Sequence, residues 1–203
     1  MENEIILKTI DYVKQNLIGD PGHDLEHAYR VWDLGKKISK LENANLEIVE
    51  PACLLHDIAD AKFCDGNESI GPQKAYSFLT SLNLEEEKIN PIMNIITYLS
   101  FRKRNEMLGE KSIEFQVVQD ADRLDAIGAI GIARAFSYGG FKERKIYNPK
   151  NMQDSTIGHF YDKLLLLKDL MNTKTGKEIA EQRHQFMELY LKQFFDEVGE
   201  DVS

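Results

Sequence analysis

The stretch Pro51-Ala52-Cys53-Leu54-Leu55-His56-Asp57 runs from five apolar residues straight into an imidazole and a carboxyl group. Read as a helix over about residues 46–59, it is apolar on nearly all sides, which is the pattern of a helix enclosed by others. Pro51 either opens its regular part or kinks it. The polar end is costly, because an ionised carboxylate taken out of water loses several kcal/mol unless it is paired or ligates a metal. His56 and Asp57 together offer one neutral nitrogen and one hard oxygen, a mixture suited to first-row divalent metals. A lone His-Asp pair is common by chance, so the reading needs further members.

Helical periodicity continues on both sides, and no convincing alternating strand interrupts it. A first helix is expected over about 4–17, with Ile5, Ile6, Ile10, Val13 and Leu17 on one face, ending at the turn cluster Gly19-Asp20-Pro21-Gly22. Asp24 can cap a second helix to about residue 43, striped by Val31, Leu34, Ile38 and Leu41. Residues 61–66 read as a loop, followed by helices over about 73–82, 84–100 and 112–136. Residues 137–154 are polar and Gly-rich, with Gly139-Gly140 and Asn148-Pro149, and are expected to form a mobile surface loop. Helices over about 155–171 and 175–198, joined at Asn172-Thr173-Lys174-Thr175, are expected to pair antiparallel. The expected architecture is one compact all-α domain, with a metal-binding core over about 20–135 and the helical pair over about 155–199.

A chain of 203 residues is long enough for one such domain with a real core. Its net charge of -9 argues against gripping the backbone of a nucleic acid, which takes basic surface, and leaves a small phosphorylated ligand open. Two cysteines, Cys53 and Cys64, do not make a disulfide framework, and both are expected as thiols with Cys53 in the core. The opening Met1-Glu2-Asn3-Glu4-Ile5 lacks the basic-then-apolar pattern of a signal peptide, and no apolar run approaches the roughly 20 residues of a membrane span. The cytoplasm is the expected location, with no membrane partner.

His27 strengthens the metal reading. It shares a helical face with Val31, Leu34 and Ile38 and so points inward, where a core histidine satisfied by hydrogen bonds is the plainer alternative. Two inward histidines from adjacent helices, together with Asp57, make that alternative less comfortable. A fourth member is sought at about 117–134, where Asp122 shares a stripe with Val118, Ala126, Ala129 and Ala133. Asp125 lies on a partly apolar face too, and periodicity does not choose between them. Asp120 lies opposite and is expected to be solvated. His23 and His27, four apart, have zinc-protease spacing, but Asp24 stands where that pattern needs a glutamate.

Several stretches together resemble the HD-domain phosphohydrolase superfamily, and more narrowly its bacterial YpgQ/YedJ-like subfamily. They are Gly22-His23-Asp24-Leu25-Glu26-His27, Leu55-His56-Asp57-Ile58-Ala59-Asp60, the long run Val118 to Arg134 containing Ala121-Asp122-Arg123-Leu124, His159-Phe160-Tyr161-Asp162-Lys163, and Gln182-Arg183-His184-Gln185-Phe186-Met187. Subfamily members usually carry a longer loop where this chain has 140–155. The resemblance implies an all-helical fold and a divalent ion (Mn, Mg, Co, Ni, Fe or Zn) held by His27, His56, Asp57 and Asp122. It implies hydrolysis by a water whose pKa the ion lowers, with Asp60 positioning that water or moving its proton. The two-metal branches place extra histidines between Asp57 and Asp122. None of the five here, His23, His27, His56, His159 and His184, lies there, so one metal is expected.

His23, Lys62, Arg123 and Lys163 are candidates for substrate contacts; for the three basic residues a solvated surface charge is the plainer alternative. Arg102-Lys103-Arg104 reads as a solvated loop. The expected activity is hydrolysis of (deoxy)nucleoside triphosphates to monophosphate and pyrophosphate. A nucleotide phosphomonoesterase and a non-catalytic metal- or ligand-sensing HD module are the alternatives.

Overall fold

The computed structural model describes residues 2–17, 24–59, 67, 69–99 and 109–199. His23, Asp60, Lys62, Cys64 and the basic run 102–104 lie outside them, as does the expected loop 61–66. Among the described residues there are nine α-helices and no strand, so the fold is all-α. The chain divides into two units, residues 1–122 and 123–203.

The first unit is built around α3 (Leu46–Leu55), which packs against α1 (Glu2–Asn16), α2 (Leu25–Glu42) and α5 (Glu86–Tyr98), while α4 (Ile70–Ser81) packs on α5. Enclosure follows from composition: Val49, Ala52, Cys53, Leu54 and Leu55 are all buried, together with Pro51, which lies inside the helix without ending it. Around them stand Val13, Val31, Ile38, Ile89, Ile92 and Ile95. Contacts across α2 and α3 fall in reverse order. His27 meets His56, the Trp32 indole N–H donates to Glu50 Oε2 at 2.7 Å, and Gly35 lies against Cys53 and Val49, so the two helices run antiparallel. The helix expected to reach residue 59 stops at Leu55, where His56 is the cap. There the Cys53 carbonyl accepts the His56 ring N–H at 2.7 Å, a side-chain donor competing for a last-turn carbonyl.

The helix expected over 112–136 is two helices, α6 (Ile113–Asp125) and α7 (Gly128–Phe141). Ile127 is extended and Gly128 has φ +77°, a left-handed conformation that side chains resist, so the break is written into that glycine. Only Val118 of the proposed stripe therefore shares a helix with Asp122. Asp120, expected in solvent, is fully buried; Val117, Val118, Gln119, Ala121 and Leu124 are buried as well, so α6 is enclosed on nearly every side.

In the second unit α7 extends through Gly139-Gly140, since Gly139 leaves room for Thr156, which its own Cβ would strike at 2.2 Å from Oγ1. The segment expected to be a mobile loop is thus partly helix. The remainder is tied down by a bridge between Lys145 and Ser155, with Thr156 N–H donating to the Lys145 carbonyl at 2.8 Å and Ile157 N–H to Ile146 at 3.0 Å. A short 3-10 helix, Met152–Asp154, follows. The first member of the expected C-terminal pair breaks at Lys163 into α8 (Thr156–Asp162) and a 3-10 helix, Leu164–Leu170, which packs on α9 (Lys174–Val198). Buried Leu164 and Leu167 are three apart, the spacing a 3-10 helix eclipses. Thr173 caps α9 and Gly199, at φ +80°, ends it.

Asp125 is buried in this unit and takes a hydrogen bond from Arg134 Nη1 at 2.9 Å. Burial lowers the pKa of Arg183, which the Asp125 charge partly restores, and Arg183 donates to the Leu124 carbonyl. Asp125→Ala leaves the half-buried Arg134 and Arg183 short of their counter-charge. The expected loss is about 3 kcal/mol, read as a lower urea midpoint at unchanged slope.

Candidate metal centre

His27 is the third residue of α2, fixed there because its amide donates to the Asp24 carboxylate at 2.7 Å, the cap expected from the sequence. His56 caps α3, with Nδ1 tied to the Cys53 carbonyl. A carbonyl only accepts, so Nδ1 carries the hydrogen and Nε2 is the atom left to ligate. The two Nε2 atoms face each other at 3.2 Å. Asp57 Oδ2 lies 3.3 Å from the His56 Nε2 and 3.5 Å from that of His27. Asp122 Oδ1 lies 3.8 and 3.6 Å from the same two nitrogens.

Both imidazoles are buried, while the side chains of Asp57 and Asp122 are 26% and 35% exposed. The group therefore has a closed nitrogen back and an open oxygen front. His27, His56 and Asp57 each offer a ligand atom within 4.8 Å of the others, so the three can hold a metal ion, with Asp122 near both nitrogens. The donor chemistry fits a first-row divalent ion. The spacing fits too: at about 2.0–2.1 Å from a common ion, neighbouring nitrogens stand about 2.9–3.4 Å apart.

Electrostatics act on the same atoms. Burial works against charging His56, but the Asp57 carboxylate, through charge and hydrogen bond, the Asp122 charge and the Cys53 carbonyl outweigh it. Its pKa is pushed up to about 9 in the metal-free protein. Cys53 is buried and its thiol is pushed up, first by burial and then by the Asp122 and Glu50 charges, so it stays protonated.

Two further sequence candidates, Arg123 and Lys163, belong to the second unit. Arg123, next to Asp122 on α6, donates from its guanidinium to the Leu170 carbonyl. Lys163 is exposed at the end of α8, its amide donating to the His159 carbonyl at 3.1 Å. His159 is held down to about 4 by burial and the Lys163 and Arg144 charges. His184 Nε2 lies 3.2 Å from Glu188. Sequence reasoning missed the Cys53 carbonyl, a backbone group that no side-chain pattern announces.

An all-helical chain with this His, His-Asp and Asp order is of the HD class. Residues 24–127 match the HD domain family, and the chain belongs to it. It is 45% identical over 173 residues to YpgQ of Bacillus subtilis (strain 168), covering 85% of this chain and 82% of that one. The crystal structure of B. subtilis YpgQ in complex with ADP superposes at a TM-score of 0.82 with 40% identity, covering 97% of this chain and 96% of that one. An HD-superfamily hydrolase from Bacillus thuringiensis matches at 0.82 with 43% identity, over 99% of this chain and 100% of that one.

Proposed function

We propose that this protein is a metal-dependent phosphohydrolase that cleaves (deoxy)nucleoside triphosphates to monophosphate and pyrophosphate. The observation that carries the reading is the pair of buried Nε2 atoms 3.2 Å apart, fronted by two half-exposed carboxylates. Two adjacent imidazole nitrogens without an ion need a shared proton, whereas one divalent cation satisfies all four groups. Such an ion lowers the pKa of water toward neutrality and polarises a phosphoryl oxygen. His27 and His56 would hold such an ion through their buried Nε2 atoms, and Asp57 and Asp122 would supply the opposite charge.

Asp60, three residues beyond Asp57, positions the attacking water and takes its proton. In that step a water oxygen bonds to the α-phosphorus, the α–β anhydride bond breaks, and pyrophosphate leaves with the bonding pair. His23, Lys62, Arg123 and Lys163 are the groups proposed to meet substrate oxygens. One Arg123 donor is already given to the Leu170 carbonyl. Support for a nucleotide comes from YpgQ, whose complex holds ADP, a molecule with the same α–β anhydride. A net charge of -9 disfavours nucleic acid as the substrate. Among the described residues no helix is long and apolar enough to cross a membrane.

The test is a nucleotide panel on metal-stripped protein with Mn, Mg, Co and Ni added singly, reading pyrophosphate and phosphate separately. Pyrophosphate from triphosphates is the expected product. Free phosphate from monophosphates alone would make the protein a phosphomonoesterase, and metal binding without turnover would make it a sensing module.

A further inference from the structure

The two imidazoles come from different helices, so their separation is set by how closely α2 and α3 approach. That approach rests on Gly35. A Cβ added there would lie 2.6 Å from Cys53 Sγ and 3.2 Å from Val49 Cγ1, where ordinary contact begins at 3.4 Å. Gly35 follows His27 by two helical turns, about 12 Å along α2. Cys53 precedes His56 by one turn and holds its ring through the backbone carbonyl. The contact thus joins the helix carrying one nitrogen to the residue that orients the other.

Resting on the metal reading above, we infer that Gly35 is a positioning residue: its lack of a side chain lets α2 approach α3 at Cys53 and so sets the His27–His56 distance. The sulfur has nowhere to yield. Cys53 is 0% exposed, its side chain has a single heavy-atom torsion, and Val49 closes the same space. A methyl at residue 35 therefore moves the helices apart, by about 0.8 Å if contact is restored by separation alone. Nitrogens at 3.2 Å then stand wider than a common ion allows, though no ligand has been touched.

The experiment measures calorimetric Mn(II) affinity of the metal-stripped full chain for wild type, Gly35→Ala, Cys53→Ala and the double variant. A second readout is the His56 Nδ1–H resonance of each metal-free protein, which reports the Cys53 bond. Gly35→Ala is expected to weaken Mn(II) binding about ten- to hundredfold, the cost of disturbing an outer support of a ligand. Cys53→Ala keeps the carbonyl and should bind within about threefold of wild type, and the double variant within about threefold of Cys53→Ala. That rescue is what a merely structural glycine would not give.

Wild-type affinity in Gly35→Ala, or a double variant as weak as Gly35→Ala, overturns the inference. Should Gly35→Ala not fold, Cys53→Val adds bulk to the same crossing from α3. Weaker Mn(II) binding then supports the inference and unchanged binding overturns it. A wild-type protein that binds no Mn(II) would instead remove the metal reading itself.

Discussion

Asp57→Ala is expected to lower metal-dependent nucleotide hydrolysis by at least about a hundredfold, since removing even an outer support of a metal ligand costs about ten- to hundredfold. Two losses coincide at this residue. Asp57 Oδ2 is the carboxylate oxygen nearest the His56 Nε2, at 3.3 Å, and its charge is the largest influence raising the His56 pKa. Without it a divalent ion meets one fewer anion, and the imidazole pair meets less negative charge. Circular dichroism should show the helical fold retained, because Asp57 lies beyond the end of α3 and is a quarter exposed. Asp122→Ala should behave alike. Asp125→Ala, three residues on, should lose stability and keep turnover below its melting range. Full metal-dependent turnover in Asp57→Ala would remove these residues from the reaction.

Metal affinity should rise about tenfold per pH unit until it levels off near pH 9, so that Mn(II) binds about fiftyfold more tightly at pH 9 than at pH 7. The cause is competition: the ion needs the Nε2 lone pair of His56, which a proton occupies in the metal-free protein below about 9. The stability of the metal-free protein runs the other way. A histidine whose folded pKa is raised from 6.5 to about 9 contributes stability that is complete below about pH 6.5 and is lost as pH rises through 9. That loss is about 3 kcal/mol. Calorimetric titrations and thermal melts of stripped protein between pH 6 and 9.5 check both slopes. A flat affinity profile would mean that His56 does not exchange a proton for the ion. In Asp57→Ala the affinity slope should flatten at lower pH, since the main influence holding that proton is gone.

The all-helical class was legible because apolar spacing reports burial wherever one helix face is buried, as along α1 and α2. The enclosed α3 was legible for the opposite reason: apolar residues on every side leave no exposed face. Helix ends were less so. The halt at Leu55 depends on a ring N–H reaching a backbone carbonyl, and the break at Gly128 on a left-handed glycine inside a run of good helix formers. Gly139-Gly140 misled in the other direction, since one of these glycines marks a close approach to Thr156 and neither marks a turn. Asp120 was placed in solvent because a one-sided stripe was assumed for a helix that is buried nearly all round. At the site, His27, His56 and Asp57 were visible as polar residues on inward or apolar positions. Choosing Asp122 over Asp125 took the family motif, because the partner that engages Asp125 is Arg134 on another helix.

The most direct test of the central claim is a stoichiometric titration. Metal-stripped protein is given Mn(II) in fractional equivalents while a deoxynucleoside triphosphate is followed by chromatography and a pyrophosphate assay. Turnover should be absent at zero metal, rise in proportion to added ion, and level off at one equivalent per chain, with monophosphate and pyrophosphate formed one to one. Undiminished turnover in the stripped protein, or no pyrophosphate at any metal content, would contradict it.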